Sequence, residues 1–300
     1  MRNVPMHVKL TAAMKTDVGR QREQNEDNAF QQIESLEDGD NGLFIVADGM
    51  GGYRAGEVAS KLAVDTISSM LSNFLKPITD QPTIKLNIAD SSTATDPDAT
   101  VKLSRMANDP KATHKLSETS RSAIMEEQLR LAVQQANRAI LQYGETRSSA
   151  RGLGCTVTVA LIQNDQAYIA NVGDSRTYLL RGDKLRAVTR DHSLVARLVE
   201  AKQIEPEDVY THPQRNLIYR SLGAGHKNVD VDIFQETLQA GDVLLLCCDG
   251  LWEMVHDNDL KKVLSGPESP QQKCDRLIEM ANANGGEDNI TAIVVQVDAA

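Results

Sequence analysis

Two stretches of the sequence share one pattern: they read LFIVADGMGG at residues 43–52 and VLLLCCDGLW at residues 243–252. In each, an apolar run is followed by an aspartate and a glycine, Asp48-Gly49 and Asp249-Gly250. Short apolar runs bounded by turn residues are typical of strands buried on both faces. A carboxylate directly after such a strand is held in a fixed place, so both aspartates are candidates for binding an ion or a ligand.

Further runs of this kind predict antiparallel strands. The predicted strands are residues 43–47, 156–162, 167–172, 177–181, 243–248 and 290–297. Asn164-Asp165 separates two of them and Arg181-Gly182-Asp183 follows another, as expected for hairpin turns.

Apolar residues recur at helical spacing on both sides of a polar segment. The two patterns consist of Val58, Leu62, Ile67, Leu71 and Phe74, and of Leu129, Val133, Ala136, Ile140 and Tyr143. Each pattern places its apolar side chains on one face and predicts an amphipathic helix packed on a sheet. Shorter helices are predicted at residues 194–201 and 274–283. Short antiparallel strands with two long helices between them favour an α+β fold over a doubly wound one.

The polar segment between the two long helices, residues 76–121, differs in composition from the rest of the chain. It has no aromatic residue and no glycine, but it has four prolines and many Ser, Thr and Asp residues. Such a segment buries too little apolar surface to offset the entropy of ordering it. We therefore predict a flexible surface insertion, which is either a loop without a role or a docking or regulatory segment.

The overall composition excludes several classes of protein. Of the 300 residues, 41% are hydrophobic and 25% are charged, which is typical of a globular protein and not of a collagen-like, coiled-coil or disordered one. The longest apolar run, residues 243–248, is six residues long, whereas a membrane span needs about 20. The chain also starts without the apolar core of a signal peptide. These features predict a cytoplasmic protein that does not span a membrane.

Net charge and cysteine content bear on the expected partners and on the state of the thiols. A net charge of −10 repels a polyphosphate backbone, so nucleic acid is not an expected partner. Cys155, Cys247, Cys248 and Cys274 form no CxxC pair, and two of them lie in an apolar run. We therefore interpret all four as reduced, buried thiols.

More acidic residues lie where predicted strands begin or end. Asp174 lies in the bend between two strands, and Glu287-Asp288 precedes the last one. Near the N-terminus, Glu26 and Asp27 lie close to Arg22. Taken singly, an Asp-Gly pair is most often only a turn and a glutamate is most often only a solvated charge. Together with Asp48 and Asp249, these residues make a convergent acidic site the sharper hypothesis.

A convergent acidic site requires a cation, because close carboxylates otherwise repel one another and become protonated. The candidate ligands are oxygens without a His or Cys cluster at zinc spacing, so Mg²⁺ or Mn²⁺ is favoured. Paired ions of this kind catalyse hydrolytic phosphoryl transfer, in which Arg22 would grip the phosphate. The sequence has neither a GxxxxGK nucleotide-binding loop nor a GxSxG nucleophile motif.

Eight motifs in order carry a resemblance to a known family. They are TDVGRQREQNED, VADGMGGYRAGEVAS, GCTVTVALI, ANVGDSRTYLLRGDKL, TRDHS, RSLGAG, LLLCCDGLWEMV and EDNITAIVV. The chain resembles, from about Thr11 to Val297, the PPM family of metal-dependent protein serine/threonine phosphatases (the protein phosphatase 2C family) in its bacterial form. The resemblance implies a single domain over residues 1–300, interrupted by the insertion at residues 76–121. It also implies a four-layer α-β-β-α sandwich of two antiparallel sheets flanked by helix pairs.

The resemblance also implies a set of metal ligands. Asp48 would bridge two Mn²⁺ or Mg²⁺ ions, and the Gly49 carbonyl would bind the first of them. Asp249 and Asp288 would complete the second site, and Glu26 would act through a bound water. Three of these five positions follow or precede an apolar strand.

The resemblance also implies a third ion and a phosphate ligand. At one further position, the chain departs from the family pattern. Asp174 with Asp249 would form the third, weaker site of bacterial members, and Arg22 would bind the substrate phosphate. Met50 stands where many eukaryotic members have a histidine proposed to protonate the leaving alcohol. A thioether cannot donate a proton, so that role is left to a metal-bound water or to no specific group. His192 is an alternative acid, although a structural role is the more common one for a histidine in this context.

The implied reaction is hydrolysis of phosphoserine and phosphothreonine by direct attack of a metal-activated water. Arg22, Asp48 and Asp249 would be the catalytic residues, and residues 191–217 would form the family's flap beside the active site. Expected partners are phosphorylated proteins, including a bacterial serine/threonine kinase that the enzyme opposes or the targets of that kinase. Two alternatives stay open: a non-catalytic pseudophosphatase that binds partners, and a phosphatase of a small phosphorylated metabolite.

Overall fold

A computed structural model describes residues 7–51, 55–76, 118–147 and 152–300. The strands are β1 (Val8–Asp17), β2 (Asn28–Leu36), β3 (Gly39–Ala47), β4 (Gly49–Met50), β5 (Gly154–Cys155), β6 (Val157–Gln163), β7 (Gln166–Val172), β8 (Arg176–Arg181), β9 (Lys184–Ala187), β10 (Leu222–Gly223), β11 (Asp232–Thr237), β12 (Val243–Cys247) and β13 (Ile290–Ala299). The helices are α1 (Ala55–Leu71), α2 (Glu118–Thr146), α3 (Leu194–Glu200), α4 (Asp249–Trp252), α5 (Asp257–Leu264) and α6 (Pro270–Ala283), with 3₁₀ helices at Ser72–Leu75 and Pro206–Tyr210.

The strands form two five-stranded antiparallel sheets and one small sheet. The first sheet has the order β1-β13-β12-β8-β9, and the second has the order β11-β7-β6-β3-β2. Short strands β10, β5 and β4 make the small sheet. The register of β1 and β13 pairs Val8 with Ala299 and Asp17 with Ile290.

The two central strands show why the sheets stack. Side chains alternate between the two faces of a strand, and from Leu43 to Ala47 of β3 both faces are apolar and buried. Leu43 and Ile45 of β3 face a core shared with α1 and α2, whereas Phe44 and Val46 face the other sheet. Strand β12 repeats this arrangement, with its two faces in the core under α5 and α6 and in the core between the sheets.

Helices cover the outer face of each sheet. Helices α1 and α2 pack on each other and on the second sheet, through residues such as Ile67 and Leu129. Helices α5 and α6 cover the first sheet, through residues such as Leu260 and Leu277. Helix α6 begins at a capping box formed by Ser269 and Gln272. The layers therefore run helix, sheet, sheet, helix, and the predicted four-layer α-β-β-α sandwich is confirmed.

The predicted elements differ from the observed ones mainly at their ends. All six predicted strands are present, and the predicted turns lie at Asn164 and Gly182, which both have positive φ. Phe74 lies in the 3₁₀ helix that follows α1. Residues 77–117, which contain most of the predicted insertion, lie outside the described residues, and α2 begins at Glu118. The insertion and the single-domain division of residues 1–300 stay predictions.

Candidate active site

The acidic residues singled out in the sequence lie at strand ends that the two stacked sheets bring to one region. Asp48 directly follows β3, and Asp249 is the first residue of α4, just after β12. Asp174 lies in the bend between β7 and β8, and Asp288 lies just before β13. The Asp48 carbonyl accepts a hydrogen bond from the Thr156 N–H at 2.9 Å, which fixes the backbone at that strand end.

The pKa values of these carboxyl groups reveal their proximity. Burial raises the pKa of Asp48 well above its usual range, and the nearby carboxylates of Asp249, Asp27, Asp174 and Asp288 raise it further. Burial followed by the charge of Asp249 has the same effect on the pKa of Asp174. Burial and the charge of Asp288 raise the pKa of Asp249. The five carboxyl groups therefore form one repelling cluster, which we call the acidic centre.

Asp27 belongs to the acidic centre, although the sequence analysis assigned it no role. Its Oδ2 accepts a hydrogen bond from the Thr291 hydroxyl at 2.6 Å. Its Oδ1 is buried without a hydrogen-bond partner, as is Oδ1 of Asp249. Burial raises the pKa of Asp27 to about 7. Its place just before β2 was a usable signal, because Asp288 stands in a similar place near the start of β13.

Glycines beside the acidic centre allow close backbone approach. A Cβ on Gly49 would lie 2.3 Å from the Gly56 carbonyl oxygen, and one on Gly56 would lie 2.8 Å from Cδ of Glu26. A Cβ on Gly250 would lie 2.0 Å from the Asn289 carbonyl oxygen. Gly250 lies inside α4. Its absent side chain serves packing against the residues before β13.

Glu26 lies at the edge of the acidic centre. Its backbone N–H donates to the Asn289 side-chain oxygen at 2.8 Å. Burial raises the pKa of Glu26, whereas the charge of Arg22 opposes that rise. Glu26 therefore lies close to Arg22 and to the residues before β13.

Arg22 reaches the acidic centre from the loop after β1. Its Nη2 donates to Oδ2 of Asp288 at 2.6 Å, and its side chain is 52% exposed. The predicted phosphate ligand thus lies beside a predicted metal ligand, with half of its surface open to solvent.

A second arginine lies at the rim of the acidic centre, the edge formed by Glu253 and Glu287. Arg215, in the predicted flap, donates to Glu253 at 3.1 Å and to Glu287 at 3.0 Å. Burial, followed by the charge of Asp249, raises the pKa of Glu253 to about 7. Sequence reasoning missed Glu253, because nothing in its local sequence marks its burial.

His192 has a structural environment: its Nδ1 accepts a hydrogen bond from the Gly173 N–H at 2.9 Å.

The residues of the acidic centre fit a hard cation. Their donors are oxygens, and two of these oxygens are buried and unpartnered, as expected of atoms that bind an ion. Across the described residues, no three Asp, Glu, His or Cys side chains are already arranged as a complete ion site. The Asp288 carboxylate, for example, is turned to Arg22 and to the Asn289 N–H. The fit therefore rests on the donor chemistry and the mutual repulsion of the carboxylates.

Two further expectations can be compared with the structure. All four cysteines are free and buried, as predicted. Among the residues that the structure describes, no helix combines the length and apolar character needed to cross a membrane.

Comparisons with known proteins identify the family. The family model described as protein phosphatase 2C matches residues 19–293. The serine/threonine phosphatase Stp of Listeria monocytogenes is 36% identical over 290 residues, which cover 96% of this chain and 96% of that protein.

Solved structures agree with this match. The serine/threonine phosphatase PstP/Ppp of Mycobacterium tuberculosis has a TM-score of 0.72 at 31% identity, covering 96% of this chain and 99% of that one. The catalytic domain of PstP in complex with two manganese ions has a TM-score of 0.70 at 30% identity, covering 97% and 99%. The chain therefore belongs to the protein phosphatase 2C family, as a serine/threonine phosphatase of the bacterial PPM type.

Proposed function

We propose that the protein hydrolyses phosphoserine and phosphothreonine in other proteins, and that it depends on bound Mn²⁺ or Mg²⁺ to do so. The observation that carries this proposal is the acidic centre. In the described part of the chain, no lysine or arginine forms a salt bridge with Asp27, Asp48, Asp174 or Asp249, although these carboxyls are buried or nearly so. Buried like charges without a cationic partner are costly unless an ion neutralises them.

The proposed ligands are those that the family resemblance implies, and each offers an oxygen donor. Asp48 would contact two ions, with the Gly49 carbonyl on the first and Asp249 and Asp288 on the second, and Glu26 would act through water. Asp174 would join Asp249 at a third. When bound, such ions supply a nucleophilic water and draw electron density from the phosphoryl oxygens.

The remaining chemistry belongs to side chains of this protein. Arg22 would leave Asp288 when an ion takes that carboxylate, and its planar guanidinium would then hold two oxygens of the substrate phosphate. This orients the phosphoryl group for direct attack by water. Met50 follows Gly49 in β4 and has no proton to give to the leaving alcohol.

A route through a cysteine phosphoenzyme is disfavoured. Burial raises the pKa of Cys248 well above its usual range, so its thiol stays protonated and is a poor nucleophile. Burial has the same effect on the pKa of Cys247. We therefore infer that water, and not a protein group, attacks phosphorus.

The proposed setting is bacterial kinase signalling in the cytoplasm. Relatives named as serine/threonine phosphatases support phosphorylated proteins as substrates, including a serine/threonine kinase or its targets. Free, buried thiols suit a reducing compartment.

The experiment measures hydrolysis of p-nitrophenyl phosphate and of a phosphothreonine peptide by metal-stripped protein, with and without added Mn²⁺ or Mg²⁺. We expect metal-restored turnover of both compounds and its loss in Asp249→Ala. Turnover of the small ester alone would indicate that the substrate is a small phosphorylated metabolite and not a phosphoprotein. Metal binding without hydrolysis would make the protein a binding module.

A further inference from the structure

Large apolar side chains are rarely exposed in this protein, and two of them lie together. Among the described residues, the exposed large hydrophobics are Met14, Leu217 and Tyr219. Leu217 is 51% exposed and Tyr219 is 37% exposed. The reaction proposed above uses neither of these two residues.

Backbone pairing places Leu217 and Tyr219 on one face. The Leu194 N–H donates to the Leu217 carbonyl at 2.8 Å, and the Tyr219 N–H donates to the His192 carbonyl at 2.9 Å. Between them, Ile218 pairs with Ser193 in an antiparallel bridge. Residues two apart on an extended segment point to the same side, so Leu217 and Tyr219 form one apolar surface.

A cation completes this surface. The Arg197 guanidinium, on α3, lies 3.7 Å from the centre of the Tyr219 ring. In the part of the chain that the structure describes, no carboxylate forms a salt bridge with Arg197. An exposed, unpaired arginine in a chain with a net charge of −10 is a local attraction for an acidic group that the rest of the surface repels. We call Leu217, Tyr219 and Arg197 the flap patch.

The flap patch is tied to the rim of the acidic centre. Arg215, two residues before Leu217, bonds Glu253 and Glu287. Two residues of chain span at most about 7 Å. The backbone of Leu217 in the patch therefore lies within about 7 Å of the Arg215 backbone. The Arg215 side chain reaches Glu253, whose carboxyl group lies close enough to Asp249 for that charge to raise its pKa. The part of a substrate that could contact the patch is the segment that flanks the phosphorylated residue.

We propose that the flap patch binds the polypeptide segment that flanks the phosphorylated residue, and that the preferred segment carries an apolar side chain and an acidic one. This inference rests on the proposed function, because it names the substrates that the same site prefers. The apolar side chain packs on Leu217 and Tyr219, and the acidic one pairs with Arg197. The patch would thus discriminate among phosphoproteins without touching the phosphate.

The test compares substrates that differ only in the flanking segment. The probes are a phosphothreonine peptide with leucine and glutamate near the phosphothreonine, the same peptide with alanines there, and p-nitrophenyl phosphate. We expect the double variant Leu217→Ser/Tyr219→Ser to lose roughly tenfold in kcat/KM on the first peptide, through KM. Its kcat and its turnover of p-nitrophenyl phosphate should not change.

Matched variants separate recognition from general effects. Met14→Ser removes the third exposed apolar side chain, on β1, and should change nothing. Tyr219→Phe keeps the ring and should keep the wild-type KM. Arg197→Gln should abolish the preference for glutamate over alanine in the peptide.

The outcomes also distinguish this inference from the proposed function. A double variant that processes the first peptide as well as the wild type, while still hydrolysing p-nitrophenyl phosphate, would refute the patch alone. Wild-type protein that hydrolyses neither compound with metal present would refute the proposed function, and the inference with it. A wild-type dimer that the double variant converts to a monomer, with unchanged KM, would reassign the patch to self-association.

Discussion

Two groups of buried aspartates in this protein are treated in opposite ways. In the scaffold, Asp242 is bound by Arg181 at 2.7 Å and Asp40 is bound by Lys9 at 3.2 Å. Burial alone would raise the pKa of Asp40, but the Leu10 N–H, the Ser35 hydroxyl and Lys9 together lower it below its usual range. These carboxylates are neutralised by partners within the chain.

The acidic centre shows the reverse. Burial and neighbouring carboxylates raise the pKa of Asp48 and Asp174 well above the usual range. Since the same chain pairs its scaffold aspartates with cations, Asp27, Asp48, Asp174 and Asp249, which have no salt bridge among the described residues, are a specific feature and not a general tolerance of buried charge. Under the proposed function, these carboxyl groups serve a bound ion at a cost to the stability of the protein alone.

The largest effect expected from this contrast is on turnover. Asp249→Asn should lower kcat by on the order of 10³-fold and should stabilise the metal-stripped protein by about 1 kcal/mol, because it removes a repelling charge. Asp242→Asn, the matched scaffold variant, should keep turnover and lose stability. Metal-dependent kinetics and urea unfolding measure both. A similar loss of turnover in both variants would break the comparison.

The next effect concerns Arg22, which forms a salt bridge with Asp288 and has half of its side chain exposed. Arg22→Ala should lower kcat/KM on a phosphothreonine peptide by roughly 30-fold, and Arg22→Lys should restore only part of it, because lysine lacks the planar fork. Arg20→Ala, two residues earlier, is the control. Steady-state kinetics at saturating metal decide the point, and full activity in Arg22→Ala would remove this residue from the site.

A smaller effect is expected in the scaffold, on stability alone. Arg181→Met leaves the Asp242 carboxylate buried without its cation and should cost about 2 kcal/mol of unfolding free energy. Arg186→Met breaks a more exposed pair with Glu236 and should cost less than about 1 kcal/mol. Chemical denaturation compares the two, and equal costs would mean that Asp242 does not depend on Arg181.

The smallest effect is a pH dependence that carries the sign of the acidic centre. The pKa of Asp27 is raised to about 7 in the fold, from the ordinary value of 3.8. Because the folded state binds the Asp27 proton more tightly than the unfolded state does, protonation of Asp27 stabilises the fold. This stabilisation is present below pH 4 and is lost as the pH rises towards 7. Metal-stripped wild type should therefore lose more unfolding free energy than Asp27→Asn over this range. Parallel pH profiles of unfolding free energy in the two proteins would contradict this.

The parts of the fold that could be predicted are those that bury both faces. Residues 43–47 of β3 and all of β12 are continuous apolar runs, so their positions, and those of Asp48 and Asp249, could be predicted from sequence. Strand β1 alternates buried with more exposed residues, and it was not predicted. Helix α5 buries only Leu260 and Leu264, too few for a helical pattern to stand out.

The site was predictable where chemistry follows a strand end, and less so where burial comes from distant contacts. The Asp27 carboxylate is bonded by Thr291, 264 residues later in the chain, and the Glu253 carboxylate is bonded by Arg215 from another segment. Neither partner is marked by local sequence. The same holds for the flap patch, because the contact between Arg197 and Tyr219 depends on how two separate segments pair.

The place of β13 in its sheet has a consequence for how the protein reaches its active form. This strand, formed by residues 290–299, fills the position between β1 and β12, and Asp288 lies two residues before it. When a ribosome has made every earlier element, β1 therefore still has no partner strand in this sheet. Until β13 is synthesised, the sheet formed by the earlier strands has an open edge. A partly folded chain with such an edge is prone to aggregation. Closure of the sheet and completion of the acidic centre are then a single event, so newly made protein completes its first sheet and its proposed metal site together.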